Sequence, residues 1–204
     1  MLFDDSYKTI TQPVEGFFRD RGSKFFAYAY PIQNEEDTKR YLSELREIHP
    51  KAVHHCYAYR LSLDRTQYRT SDDGEPSGSA GKPILNTIYS HDLTNVLVVV
   101  VRYFGGTLLG VPGLINAYKV ATDEALKQAQ VITKHVCDVY TLTYPYEQMN
   151  EVMKAIKSFD LVPQNQHFDN ECCLQIEIRK TLLNQVLGRF EKIESLQMKF
   201  ERTI

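Results

Sequence analysis

Between Ser71 and Pro83 the chain reads Ser-Asp-Asp-Gly-Glu-Pro-Ser-Gly-Ser-Ala-Gly-Lys-Pro, which places Asp72, Asp73, Glu75 and Lys82 among glycines directly ahead of a helical pattern. Glycines in such number beside acids suggest backbone shaped for close approach to something else. A helix start leaves N–H groups unpaired and carries partial positive charge, so the starts near Ser79 to Pro83 and Val111 to Gly113 are candidate anion sites, the first reinforced by Lys82. A phosphate-binding Walker loop is excluded, because Pro76 stands where its glycine belongs and Pro83 where its Ser or Thr belongs. Gly105 and Gly106, with Gly110 and Gly113, do not match the dinucleotide fingerprint either. Arg102 ends an apolar run just before that glycine pair, where its guanidinium can hold a phosphate, a carboxylate or the acids of the first loop.

His54, His55 and Cys56 look like the beginning of a metal or thiol site. Strand alternation, however, sends His55 to the face opposite His54 and Cys56, so one strand alone cannot assemble the three. His54 beside Asp72, Asp73 or Glu75 could activate water, alone or with a divalent ion, and this supports a hydrolase of peptides or phosphoesters as one alternative function. No spaced second cluster of histidines backs a metal, and no metal, cofactor or catalytic residue is assigned. Cys172 and Cys173 fall on opposite faces of a strand and are read as fillers. Arg60, Arg65, Arg69, Lys82, Arg102 and Lys119 are interleaved with Tyr57, Tyr59, Tyr68 and Tyr103, a mixture suited to phosphates and stacked bases or, equally, to a plain solvated surface.

The elements that must position these residues follow from periodicity. Ile10 to Phe18 and Lys24 to Ile32 read as a hairpin around Arg19–Ser23, and Asn34 caps a helix with the buried stripe Tyr41, Leu42, Leu45 and Ile48. His54 to Leu63 is the next strand, and the acidic loop then feeds a helix bearing Ile84, Leu85, Ile88 and Tyr89 on one face. Val96 to Tyr103 is a fourth strand, followed by the second glycine loop and a long helix lined by Leu114, Ala117, Tyr118, Ala121 and Ala125. From about Val136 the order becomes strand, helix, two strands, helix, strand: 136–144, 147–159, 161–168, 172–179, 182–193 and 196–202. That is the split βαβ plan. A boundary at 131–135 therefore separates a first domain, residues 1–132, from a second, residues 133–204.

Length and composition bound the function. The 204 residues are 43% hydrophobic and 25% charged, with 24 Lys and Arg against 26 Asp and Glu, so a polyanion partner must meet a local patch rather than bulk charge. The longest apolar stretch, Val96 to Val101, is far shorter than the roughly 20 residues that cross a bilayer. Four cysteines without CxxC spacing and an acidic start unlike a signal peptide imply a cytoplasmic protein.

At His54-His-Cys-Tyr-Ala-Tyr, Ser71 to Pro83 and Val99-Val-Val-Arg-Tyr-Phe-Gly-Gly-Thr-Leu-Leu-Gly the chain closely resembles the YigZ/IMPACT family. The resemblance implies an α+β protein of two two-layer domains. The first would be like domain two of ribosomal small-subunit protein five, and the second ferredoxin-like, as in the final domain of elongation factor G. It also implies a link to translational control. The family signature falls on His54, His55, Asp72, Asp73, Gly74, Glu75, Pro76, Gly81, Lys82, Arg102, Gly105, Gly106 and Gly110. The resulting expectation is a regulator of translation that binds RNA, the ribosome or a translation factor in a loop groove. Lys82, Arg102 and Lys119 would hold phosphates there, beside Gly105, Gly106, His54 and His55. The remaining alternative is a protein-interaction module that acts through the sheet of the second domain.

Overall fold

Gln12 and Pro13 break the opening aromatic stretch in two, because proline has no N–H to give a sheet ladder. The computed structural model describes residues 5–62, 66–169 and 171–204. Within them, strand β1 (Ser6–Ile10) precedes the break and β2 (Val14–Asp20) follows it, turning through Arg21 and Gly22 into β3 (Ser23–Pro31). Helix α1 (Glu35–Ile48) is capped by Asn34, whose side chain accepts from the Asp37 N–H at 3.0 Å. Next come β4 (His54–Leu61), β5 (Gln67–Ser71), α2 (Gly81–Ser90), β6 (Val96–Tyr103), α3 (Gly110–Lys127) and β7 (Val131–His135). Leu63 and Arg65, assigned above to a strand and to the basic set, lie outside the described residues. β5 and β7 were not anticipated. β5 is short and polar, and β7 falls where a boundary was expected.

The chain divides into two compact units, residues 7–134 and residues 5–6 with 135–204. In the first, β2-β3-β6-β4-β5 form one antiparallel sheet in that order. Alternation splits its side chains between two faces. Phe25, Ala27 and Ala29 of β3, Cys56 and Ala58 of β4, and Val96, Val98 and Val100 of β6 pack against α2 and α3. Leu97, Val99 and Val101 pack with Tyr59, Leu61 and α1's Leu42 and Leu45 on the other face. Helices therefore cover both faces, and the two-layer expectation is corrected for this unit. β6 is apolar without a break because it is buried on both sides.

The second unit runs β8 (Cys137–Pro145), α4 (Met149–Ser158), β9 (Gln164–Phe168), β10 (Glu171–Arg179), α5 (Leu183–Phe190) and β11 (Gln197–Thr203), with a 3₁₀ turn leading into each helix. Its sheet has the order β11-β8-β10-β9, so the first strand and the third lie side by side at the centre. One face carries the core of Leu142, Tyr144, Leu174, Ile176, Val186 and Phe190. The molecule is thus α+β. Among the described residues no helix is long and apolar enough to cross a membrane.

Candidate functional site

The acidic loop closes around its own first carboxylate. Asp72 Oδ1 accepts from the backbone N–H of Ala80 at 3.0 Å and Gly81 at 2.8 Å, and Oδ2 accepts from Gly78 at 2.9 Å. Ala80 provides no side-chain cap for α2, so Asp72 provides one from upstream and adds a negative charge at the positive end of the helix. This corrects the expectation of an open anion site at Ser79 to Pro83, since an internal anion already fills it. Asp73 and Gly74 both have positive φ, +41° and +88°, and the turn they make presents Asp73 to β4. The Asp73 carboxylate accepts from the His55 backbone N–H at 2.6 Å, and Arg46 lies 3.7 Å away. Its carbonyl accepts from His54 Nδ1 at 2.7 Å. A carbonyl can only accept, so Nδ1 carries the proton.

Glu75 and Arg102 form the buried centre of the same region. Arg102 Nη1 donates to Glu75 Oε1 at 2.6 Å, with the two side chains only 6% and 3% exposed. The Tyr118 hydroxyl donates to that same oxygen at 2.7 Å, and His54 Nε2 lies 3.9 Å from it. Cys56 Sγ lies 3.2 Å from the Tyr118 hydroxyl and 3.0 Å from the Asp72 carbonyl. Burial pushes the Cys56 thiol and the Tyr118 phenol far above their ordinary values, so both stay protonated and serve as donors. The Arg102 guanidinium also lies over the rings of Phe25 and Phe104, and its Nη2 reaches Ser23 Oγ at 3.4 Å. The expectation that Arg102 holds a phosphate is therefore corrected. Its charge is spent on Glu75, beneath packed side chains.

The other predicted residues divide between support and surface. His55 is buried on the α1 face, its Nε2 without a partner, and desolvation holds its imidazole below the ordinary value and hence neutral. The Gly105 N–H donates to Ser23 Oγ at 3.1 Å, and a Cβ there would run into the backbone of Gly22 and Ser23. Gly106 is exposed, and although a Cβ there would meet open space, its φ of +87° is one that only glycine adopts readily. Arg60 donates to the Leu93 carbonyl and lies over the Tyr89 ring, whereas Arg69 is exposed on β5, so the expected basic set does not gather at one place. Among the described residues no group of His, Cys, Asp and Glu could hold a metal ion.

Two predicted residues do come together. Lys82 on α2 and Lys119 on α3 are both exposed and line one groove of about 500 Å³, with Asn86, Thr87 and Ser90 along the α2 side and Ile115 on the α3 side. Neither lysine has an ion-pair partner among the described residues. Sequence reasoning had passed over Asn86 and Ser90, which follow Lys82 at the i, i+4, i+8 spacing of a single helix stripe, and had read Tyr118 as core filler only. In the second unit the open sheet face is polar and mutually bonded. Asn165 donates to Gln175, Gln175 to Thr141, and Thr141 to Glu201. That leaves few free groups for the sheet-docking alternative.

Comparison with known proteins was made on this geometry. Residues 21–126 match the family model described as the Impact N-terminal domain. The chain is 35% identical over 158 residues to the Escherichia coli protein named IMPACT family member YigZ, covering 76% of this chain and 78% of that one. To the rabbit (Oryctolagus cuniculus) Protein IMPACT it is 40% identical over 96 residues, 45% of this chain and 30% of that one. A crystal structure of a hypothetical protein superposes with a TM-score of 0.72 at 28% identity, covering 98% of this chain and 99% of its own.

Proposed function

The chain belongs to the IMPACT family, and from that premise we propose that it regulates translation by holding the phosphate backbone of an RNA in the groove between α2 and α3. The observation that carries this reading is the pair of exposed lysines, Lys82 and Lys119, facing one groove with no ion-pair partner among the described residues. The exposed Asn86 amide beside them adds a donor for a phosphate oxygen, whereas the Thr87 and Ser90 hydroxyls already donate to the Pro83 and Thr87 carbonyls. The acids of the motif have another task. Asp72 caps α2, Asp73 ties the loop to β4, and Glu75 neutralises Arg102. Asp72 also fixes one part of the groove's wall by holding Gly78, and the hydrolase alternative gains nothing from carboxylates so fully engaged.

The test is a salt titration of RNA binding. Each phosphate contact contributes roughly 0.7 to 0.9 to the slope of log affinity against log salt, so Lys82→Ala with Lys119→Ala should lower the slope by about 1.5 while the thermal midpoint is kept. An unchanged slope in a folded double variant removes the groove from the mechanism.

A further inference from the structure

On the α1 face of the first unit's sheet, the part beyond the end of the helix carries a second feature, which the lysine groove does not explain. Phe17 of β2, Phe26 of β3 and Tyr103 of β6 project from it in neighbouring strands, because the register pairs Phe17 with Phe26 and Lys24 with Tyr103. Phe17 and Phe26 have centroids 5.0 Å apart, and Phe26 meets Tyr103 edge-on at 5.9 Å. His49, just past α1, stacks on Phe26. It also bridges Tyr28 and Tyr103 through hydrogen bonds of 2.7 and 2.9 Å, which fixes the orientation of both phenols. Phe104 follows Tyr103 and lies over Arg102 while remaining 48% exposed. Together with Gly22 and Lys24 these rings border a cleft of about 310 Å³. Phe17, half exposed, extends the aromatic surface beyond the cleft.

The charges beside these rings are mixed: Glu15 of β2 is exposed and stands opposite Tyr28 on one side of Phe17, and a pair of cations lies on the other side, toward the cleft. Arg19 and Lys24 stand directly opposite each other on β2 and β3, both exposed, and neither has an ion pair among the described residues. Like charges directly opposite in a sheet are destabilising. An anion placed across the pair would relieve that repulsion, and aromatic surface next to it suits something flat.

We propose that this face is a stacking platform for an unpaired nucleotide of single-stranded RNA, with the base on Phe26 and Phe104 and the neighbouring phosphates on Arg19 and Lys24. A continuing strand fits better than a free nucleotide. Among the described residues the one lysine or arginine that lines the cleft is Lys24, which is exposed, and exposed charges along a hairpin suit a backbone that passes across it rather than an isolated phosphate. The platform uses none of the residues of the lysine groove, so the two readings stand or fall separately.

The experiment follows a short, fluorescein-labelled single-stranded oligouridylate by anisotropy, beside an abasic strand of the same length and free uridine monophosphate. Phe104→Ala should weaken the oligouridylate about tenfold, within the range measured for single base–aromatic stacks, and Phe17→Ala, which removes the ring packed on Phe26, should weaken it by less. The abasic strand should bind more weakly than the oligouridylate and should not respond to these variants. Arg19→Ala with Lys24→Ala should lower the salt slope by about 1.4. Ring resonances of Phe and Tyr in the unsubstituted protein provide a readout that does not depend on any variant folding, and they should shift on addition of the strand. They should shift equally in the Lys82→Ala, Lys119→Ala protein, even where its overall affinity has fallen. Equal binding of the abasic strand, or still rings, overturns the proposal. So does free uridine monophosphate binding as tightly as the strand, or ring shifts that vanish with the folded lysine variant. Persistent ring shifts with no effect of that variant would instead retain the platform and overturn the lysine groove.

Discussion

At the scale of the residue, Arg102 shows how a motif position can be essential without touching a ligand. Its guanidinium and the Glu75 carboxylate are withdrawn from water together, and each is tolerable there only because the other is present. Arg102→Ala should therefore cost about 3–5 kcal/mol in urea unfolding by leaving the buried Glu75 without its cation, and any loss of RNA binding should track the unfolded fraction. Asp72→Ala removes a cap and should cost about 1–2 kcal/mol by the same measurement, since three backbone N–H groups lose their acceptor. The sequence made the acids and Arg102 conspicuous and even offered their pairing as one option. Which acid pairs with Arg102 depended on Tyr118, 43 residues from Glu75 in the chain, and no local pattern reports a contact of that separation.

Elements were legible where one period dominates. α1 announces itself through Asn34, the acids of its first turn and its apolar stripe, and β6 through an unbroken apolar run. That run also implied burial on both faces, a signal that the two-layer expectation did not use. β5 and β7 escaped because short, largely exposed strands have little alternation to read. Packing α1 onto the sheet has a consequence for acid stability. Desolvation lowers the values of both His49 and His55 below the ordinary 6.5, so the unfolded chain binds more protons than the folded one as pH falls through that value. Melting temperature should accordingly decrease between pH 7.5 and pH 5, with His55→Gln or His49→Gln flattening the dependence. A midpoint that holds steady in the unsubstituted protein would contradict this account of the two imidazoles.

For the whole molecule, the α+β class and the succession of strands and helices along the second unit were both written in the periodicity. The grouping of residues 5–6 with 135–204 was not. Asp5 explains it. Its buried carboxylate accepts from Arg179 Nη2 at 2.8 Å, from the Thr181 N–H at 3.1 Å and from the Thr181 hydroxyl at 2.7 Å. Arg179 is the first cause of an acidity held far below the usual carboxylate range. A depressed folded value means that this contribution is complete above the unfolded carboxylate's titration and disappears only as pH falls through the folded one. Asp5→Ala should thus destabilise the second unit at neutral pH by about 2 kcal/mol, read as earlier loss of amide protection in 135–204 than in 7–134.

The distance from Asp5 to Arg179 along the chain is 174 residues. During synthesis Asp5 emerges that many residues ahead of Arg179. Residues 7–134 can fold while that carboxylate waits in water, and the second unit closes on it only after Arg179 and Thr181 have been made.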